Sequence, residues 1–233
     1  MNSMQQVTNP AELDTWRPRL AQLAAAAAGD APDGAHDLNH VERVWRNAQA
    51  LLAYYPQADA LVVLAACYLH DLVNVPKNDP RRASASRLSA ELASERLAAL
   101  GFPADKVPAV AHAIEAHSFS AGVPATTLEA RIVQDADRLD GLGAVGLARM
   151  FYIAGRMGSA LAHGSDPLAQ DRPLDDTAYS LDHIEAKLAR LPAMMQTEAG
   201  RALGEARLAT LTGFRAAFAA ESARRLPKHR PAT

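Results

Sequence analysis

The pair His70–Asp71 closes the most apolar stretch of the chain, ALVVLAACYLHD over residues 60–71. A charged carboxylate beside an imidazole is unfavourable there unless a partner offsets the lost hydration, and a divalent cation is one such partner. A solvated helix end is the competing explanation, and one His-Asp pair alone is weak support for a metal. Two further groups add weight. His40 opens an amphipathic stretch, HVERV, and Asp137 lies in QDADRLD, where Asp135, Asp137 and Asp140 crowd an otherwise apolar segment. These three acids cannot all face a core, although a solvated face accounts for one or two of them. His40, His70, Asp71 and Asp137 together offer two imidazoles and two carboxylates. That is a mixed N/O set suited to Mn, Fe, Co, Ni, Zn or Mg, with positions left open for water.

Other residues could complete such a site. His36 and His40 are spaced i, i+4 and could chelate an ion from one helical face. This requires a helix that begins before His36, and the candidate caps Asp37 and Asn39 argue against it. His36 and Asp37 are therefore read as neighbours that hydrogen-bond a ligand or water, with a plain turn as the alternative. His117 and His112 follow later, with Glu115 between them. Five residues apart, they point in different directions on a regular helix, and His117 is the one expected to line the site. Lys77, Asn78, Arg81 and Arg82 lie within a dozen residues of the His-Asp pair. A phosphate needs such donors, because the charge on its oxygens must be offset. Lys offers a mobile point charge and Arg a bidentate grip. An ordinary solvated loop is the alternative for Arg81 and Arg82.

The elements that must position these groups read as helices. Ala and Leu dominate, strand-like alternation is sparse, and helical period recurs. Helices are expected over residues 11–28, 38–55, 59–72, 84–100 and 103–117, with a long one over 128–157. A further helical region covers 180–223, split at Pro192. Asn39 followed by Glu42 has the spacing of a capping box. Gly141, Gly143 and Gly146 could loosen the long helix or admit close neighbours. Residues 158–177, rich in Gly, Asp and Pro, are expected to form a mobile surface loop or lid. The fold class is all-α: a helical bundle with additional C-terminal helices, in one domain over 1–233. Its core covers about 30–160, followed by a loop at 161–179 and the helical region at 180–223.

Bulk properties narrow the classes. With 233 residues, 49% of them hydrophobic, the chain can bury one substantial core. A net charge of −2, from 24 basic and 26 acidic residues, lacks the footprint of a nucleic-acid binder. The single cysteine, Cys67, sits in an apolar run and reads as core. Neither a signal peptide nor a membrane-spanning run is expected, so the expectation is a soluble cytoplasmic protein without a membrane partner. The long C-terminal helical region leaves room for a homo-oligomer.

The ordered set HDLNHVERV, LHDLVNVPKN, AHSFSA and VQDADRLDGLGAVGLAR resembles the motif series of the HD superfamily of metal-dependent phosphohydrolases, in its bacterial nucleotide-pyrophosphohydrolase-like branch. The resemblance covers about residues 33–156. It implies an HD-domain helical bundle with a divalent metal on His40, His70, Asp71 and Asp137. It also implies that Lys77 and Asn78 belong to the family's loop and that Arg43 matches the HxxRV piece. Arg43 then either reaches a phosphate or pairs with a core carboxylate. The implied activity is attack of metal-activated water on a phosphate ester or anhydride, the substrate being a nucleotide or nucleoside polyphosphate. Asp71 would orient the water, Lys77 would offset charge, and His117, Glu115 or Asp37 would move protons. Two alternatives stay open. One is a di-iron HD-type oxygenase using His112 and His117, or equivalents, and the other is a non-catalytic nucleotide-binding HD domain.

Overall fold

Helix α3 (Ala60–Leu69) explains why a bundle forms. Nine of its ten residues are buried, and a helix apolar on every side must be wrapped by others. Asp59 caps its start, accepting from the backbone N–H groups of Leu61 and Val62 at 3.0 and 3.3 Å. This satisfies donors that have no partner inside the helix. Around α3 pack α1 (Pro10–Ala28), α2 (Leu38–Leu52), α5 (Val107–His117) and α6 (Leu128–Asp140), while α4 (Ala85–Ala99) lies chiefly against α5. The computed structural model describes residues 10–28, 38–73, 75, 84–118 and 121–223. Among these residues the regular structure is helical, apart from one isolated parallel bridge between Ala160 and Tyr179. No helix among them is long and apolar enough to cross a membrane.

The chain then adds α7 (Gly143–Arg156), α8 (Asp182–Ala186), two 3-10 turns (Leu188–Arg190 and Pro192–Met194) and α9 (Glu198–Ala223). The fold is thus an all-α bundle with extra C-terminal helices. α9 packs on α7 and α6, and one apolar cluster runs from Trp16 in α1 to Leu211 in α9. Arg207 of α9 donates to the carbonyl of Leu139 at 2.6 Å and to Asn47 Oδ1 at 2.7 Å. A cation on the terminal carbonyls of α6 is favourable, because partial negative charge gathers at that end.

Three expectations change. The helix expected over 128–157 is two helices, because the backbone turns at Gly141–Leu142 and Gly143 takes φ +71°. A side chain is strained in that conformation. Residues 158–177 are anchored and do not form a free lid. Ala160 donates to the Ala178 carbonyl at 2.9 Å, and Ser180 returns a bond to Ala160 at 2.8 Å. Arg172 grips buried Asp182 with both terminal nitrogens, at 2.6 and 2.8 Å. Asn39 does not stand at the start of its helix either, because Leu38 before it is already helical. Glu42 takes Tyr68 Oη–H at 2.5 Å and Arg17 at 2.6 Å.

Gly146 makes the α6–α7 corner possible. A Cβ at that position would overlap the backbone carbonyl of Gly141, which cannot swing away as a side chain could. Gly146→Ala should destabilise the protein by about 1–3 kcal/mol, the usual range for overpacking. At roughly 2–4 °C per kcal/mol for a domain of this size, a thermal melt followed by circular dichroism should show a clearly lowered Tm. An unchanged Tm would mean the corner opens freely.

Candidate metal centre and adjoining cavity

Four helices deliver the candidate ligands to one point. His40 stands in the first turn of α2, His70 and Asp71 follow the last residue of α3, His117 ends α5, and Asp137 lies in α6. His70 and His117 use the same local device at a helix C-terminus. His70 Nδ1 donates to the carbonyl of Cys67 at 2.9 Å, and His117 Nδ1 to that of Ile114 at 2.5 Å. A carbonyl can only accept, so Nδ1 carries the proton in both rings and Nε2 is left as the coordinating atom. His40 makes the equivalent bond from Nδ1 to Asp140 Oδ2 at 2.8 Å. A carboxylate behind an imidazole is the usual way to fix the orientation of a ligating histidine.

The donor atoms converge. His40 Nε2 lies 3.2 Å from His70 Nε2, 3.5 Å from Asp137 Oδ1 and 4.0 Å from Asp71 Oδ2. His70 Nε2 lies 3.4 Å from Asp71 Oδ2 and 3.9 Å from Asp137 Oδ1. Donors that share one ion with bonds of about 2.0–2.2 Å stand roughly 3 to 4.4 Å apart, so this set fits a divalent cation. Two facing Nε2 lone pairs at 3.2 Å would also repel each other unless a proton or a cation stands between them. Asp71 faces two ways: Oδ2 meets His40 and His70, and Oδ1 lies 3.7 Å from His117 Nε2.

Burial sets the protonation. It pushes the His40 imidazole down, and the Asp140 hydrogen bond only partly offsets this. It lowers His117 likewise, aided by neighbouring His70. Burial also opposes protonation of His70, yet Asp71 and Asp137 outweigh it and its pKa is raised. Burial alone would raise the Asp140 carboxyl, but hydrogen bonds from His40 and Arg43, with Arg149 close by, hold it far below the usual carboxylate range.

The acid-rich stretch of α6 does not form a solvated face. Asp135 and Asp140 are 0% and 2% exposed, and Asp137 turns to the donor cluster. Asp135 accepts from Gln196 N at 2.7 Å, Thr197 N at 2.8 Å and Thr197 Oγ1 at 2.7 Å. Asp140 accepts from His40, from Arg43 Nε at 2.7 Å and Nη2 at 3.1 Å, and from Arg149 Nη1 at 2.5 Å. Arg43 therefore meets a core carboxylate, the second of the two roles open to it. His112 is turned away from the cluster, its Nε2 receiving Thr126 N at 3.2 Å. His36, Asp37, Lys77, Asn78, Arg81 and Arg82 lie outside the described residues. Sequence reasoning missed Asp140 as an orienting group and Arg149 altogether. The i+3 spacing of Asp137 and Asp140 was the available signal for the first.

A cavity of about 620 Å³ opens from the cluster. It is lined by Asp71, His117 and Asp137 of the cluster, by Arg138, Arg149, Lys187 and Arg190, and by Met150, Ile153 and Leu191.

The HD-domain family pattern matches residues 37–142. The uncharacterized protein YpgQ of Bacillus subtilis is 35% identical over 176 residues, which cover 74% of this chain and 77% of YpgQ. The chain belongs to the HD superfamily. The crystal structure of Bacillus subtilis YpgQ in complex with ADP aligns with a TM-score of 0.66 at 28% identity, covering 91% of this chain and 95% of that one. An HD-superfamily hydrolase from Bacillus thuringiensis aligns with a TM-score of 0.69 at 25% identity, covering 91% of this chain and 100% of the other. The HD pattern ends at residue 142, so the part of the cavity wall built by α7, α8 and the 3-10 turns lies outside it.

Proposed function

We propose that this protein is a metal-dependent phosphohydrolase acting on a nucleotide, with a nucleoside polyphosphate as the preferred substrate. The observation that carries this is the convergence of His40, His70, Asp71 and Asp137, the last two of which line a cavity with cationic and apolar walls. A divalent cation held there supplies Lewis acidity, lowering the pKa of water and offsetting charge on phosphoryl oxygens. Asp71 both ligates and, through Oδ1 toward His117, orients the attacking water. His117 is kept neutral by burial, and its Nδ1–H is committed to Ile114, so Nε2 is free to take a proton. The apolar wall of Met150, Ile153 and Leu191 suits a base and sugar, and the cations suit phosphates. From the sequence, Lys77, Asn78 and Arg81, with His36 and Asp37, are proposed to bind the phosphates. The ADP complex of YpgQ supports a nucleotide ligand for this chain as well.

The oxygenase alternative needs His112 and His117, or equivalents, as added ligands. His112 is engaged with Thr126, which favours the hydrolase. The test is a Mn²⁺-supplemented screen over nucleoside mono-, di- and triphosphates that distinguishes phosphate from pyrophosphate release. Turnover of a di- or triphosphate, abolished by EDTA and restored by Mn²⁺, is expected. A metal-loaded protein that releases neither product from any of them would defeat the proposal.

A further inference from the structure

We propose that Arg149 is a substrate-binding residue that anchors a non-reacting phosphate of a nucleoside polyphosphate while one of its nitrogens stays tied to Asp140. This rests on the phosphohydrolase assignment and names the group that makes the site prefer more than one phosphate. Arg43, the arginine that the motif series brings forward, donates from Nε and Nη2 to Asp140 and does not line the cavity. Arg149 does line it, beside Asp71, His117 and Asp137. Its Nη1 bonds Asp140 at 2.5 Å, and its Nε–H is buried with no hydrogen-bond partner among the described residues. A guanidinium has five N–H donors in a fixed fork. Asp140 therefore holds the fork in place while the remaining donors are left for an anion.

Charge counting points the same way. Asp140 contributes one negative charge against the two guanidiniums of Arg43 and Arg149, so this trio carries one net positive charge, while the cavity carboxylates Asp71 and Asp137 are the ones a divalent cation would offset. Of the two other cavity arginines, Arg138 and Arg190, the first spends Nη1 on the uncharged carbonyl of Met194 at 2.5 Å. Asp140 Oδ2, which takes Arg149 Nη1, also takes His40 Nδ1 at 2.8 Å, so Arg149 stands next to the candidate metal ligands. A phosphate adjacent to the one attacked would fall within its reach, whereas a monophosphate bound only at the metal would use it less. A tethered planar fork suits bidentate capture of phosphate oxygens.

The experiment compares wild type with Arg149→Gln and Arg149→Lys, all Mn²⁺-loaded. Turnover of nucleoside mono-, di- and triphosphates is measured, alongside Mn²⁺ affinity, Tm and direct binding of α,β-methylene ADP by calorimetry. For Arg149→Gln, KM for the di- and triphosphate and the Kd of the methylene analogue should rise by roughly 10- to 100-fold, the size of a lost charged hydrogen bond. Mn²⁺ affinity should stay within a few-fold, and the monophosphate should be affected less. Arg149→Lys should recover part of the loss. If Tm or Mn²⁺ affinity falls while KM and Kd hold, Arg149 only buttresses Asp140 and the proposal is overturned. If wild type binds the analogue without turning anything over, the hydrolase assignment fails, and the binding difference alone decides for or against Arg149. If wild type neither binds nor hydrolyses, both are overturned.

Discussion

Asp71→Ala should lose the metal and the activity together while keeping the fold. Asp71 is half-exposed and belongs to the cluster through two carboxylate oxygens. Its removal leaves His40 and His70 with one carboxylate, Asp137. Removing even an outer partner of a metal ligand typically weakens metal affinity about 10- to 100-fold, so loss of a direct ligand should exceed about 100-fold. Turnover should fall by roughly 10³ or more, since removing a group that supports developing charge alone removes about 10²–10³. Folding stability should change little, because a side chain open to water makes no buried contribution. Mn²⁺ titration, hydrolysis rates and a thermal melt on the same preparation provide the check. A variant with wild-type metal stoichiometry and wild-type turnover would remove the basis of the proposed function.

Asp140→Ala should fail differently, with the fold weakened as well as the metal site. This carboxylate is 2% exposed and is the shared acceptor for His40, Arg43 and Arg149. Its loss strands two guanidiniums against a buried imidazole. Breaking a buried charge pair by removing one partner costs about 3–5 kcal/mol, which corresponds to a Tm drop of roughly 6–20 °C for a domain of this size. Asp140→Asn keeps the volume and separates the two effects. It should fold more stably than the alanine variant yet bind Mn²⁺ about 10- to 100-fold more weakly than wild type. Unchanged Mn²⁺ affinity in Asp140→Asn would show that His40 is oriented without it.

The contrast between these two acids shows what sequence could and could not reveal. His70 and Asp71 stood out because charge at the end of an apolar helix demands an explanation that neighbouring residues do not provide. Helix α3 was readable for the same reason, since its burial is written along its whole length. The acids of α6 were ambiguous: three aspartates in six positions look alike until their partners are known. Those partners lie far away, at His40 and Arg43 for Asp140 and at Gln196 and Thr197 for Asp135. The break between α6 and α7 depends on the positive φ of Gly143 and the close approach at Gly146, which a run of helix-compatible residues conceals. Residues 158–177 read as a lid from their composition. Their order comes from Asp182, which lies beyond the segment that was read. Arg149 was passed over because one basic residue on an amphipathic helix is unremarkable until Asp140 is seen to hold it.

The placement of the three aspartates on α6 ties distant parts of the chain to the chemistry. On an α-helix Asp137 and Asp140 lie about 60° apart around the axis, while Asp135 lies roughly 160° away from Asp137. One side of α6 is therefore gripped by the backbone at Gln196 and Thr197, and the other by the charges around Asp140. The rod is held against twisting, with the metal-facing acid between the two grips. Any change that lets the Thr197 grip slip would turn the helix and swing Asp137 off its aim. In this way a tail without a single ligand atom could detune the centre from sixty residues downstream.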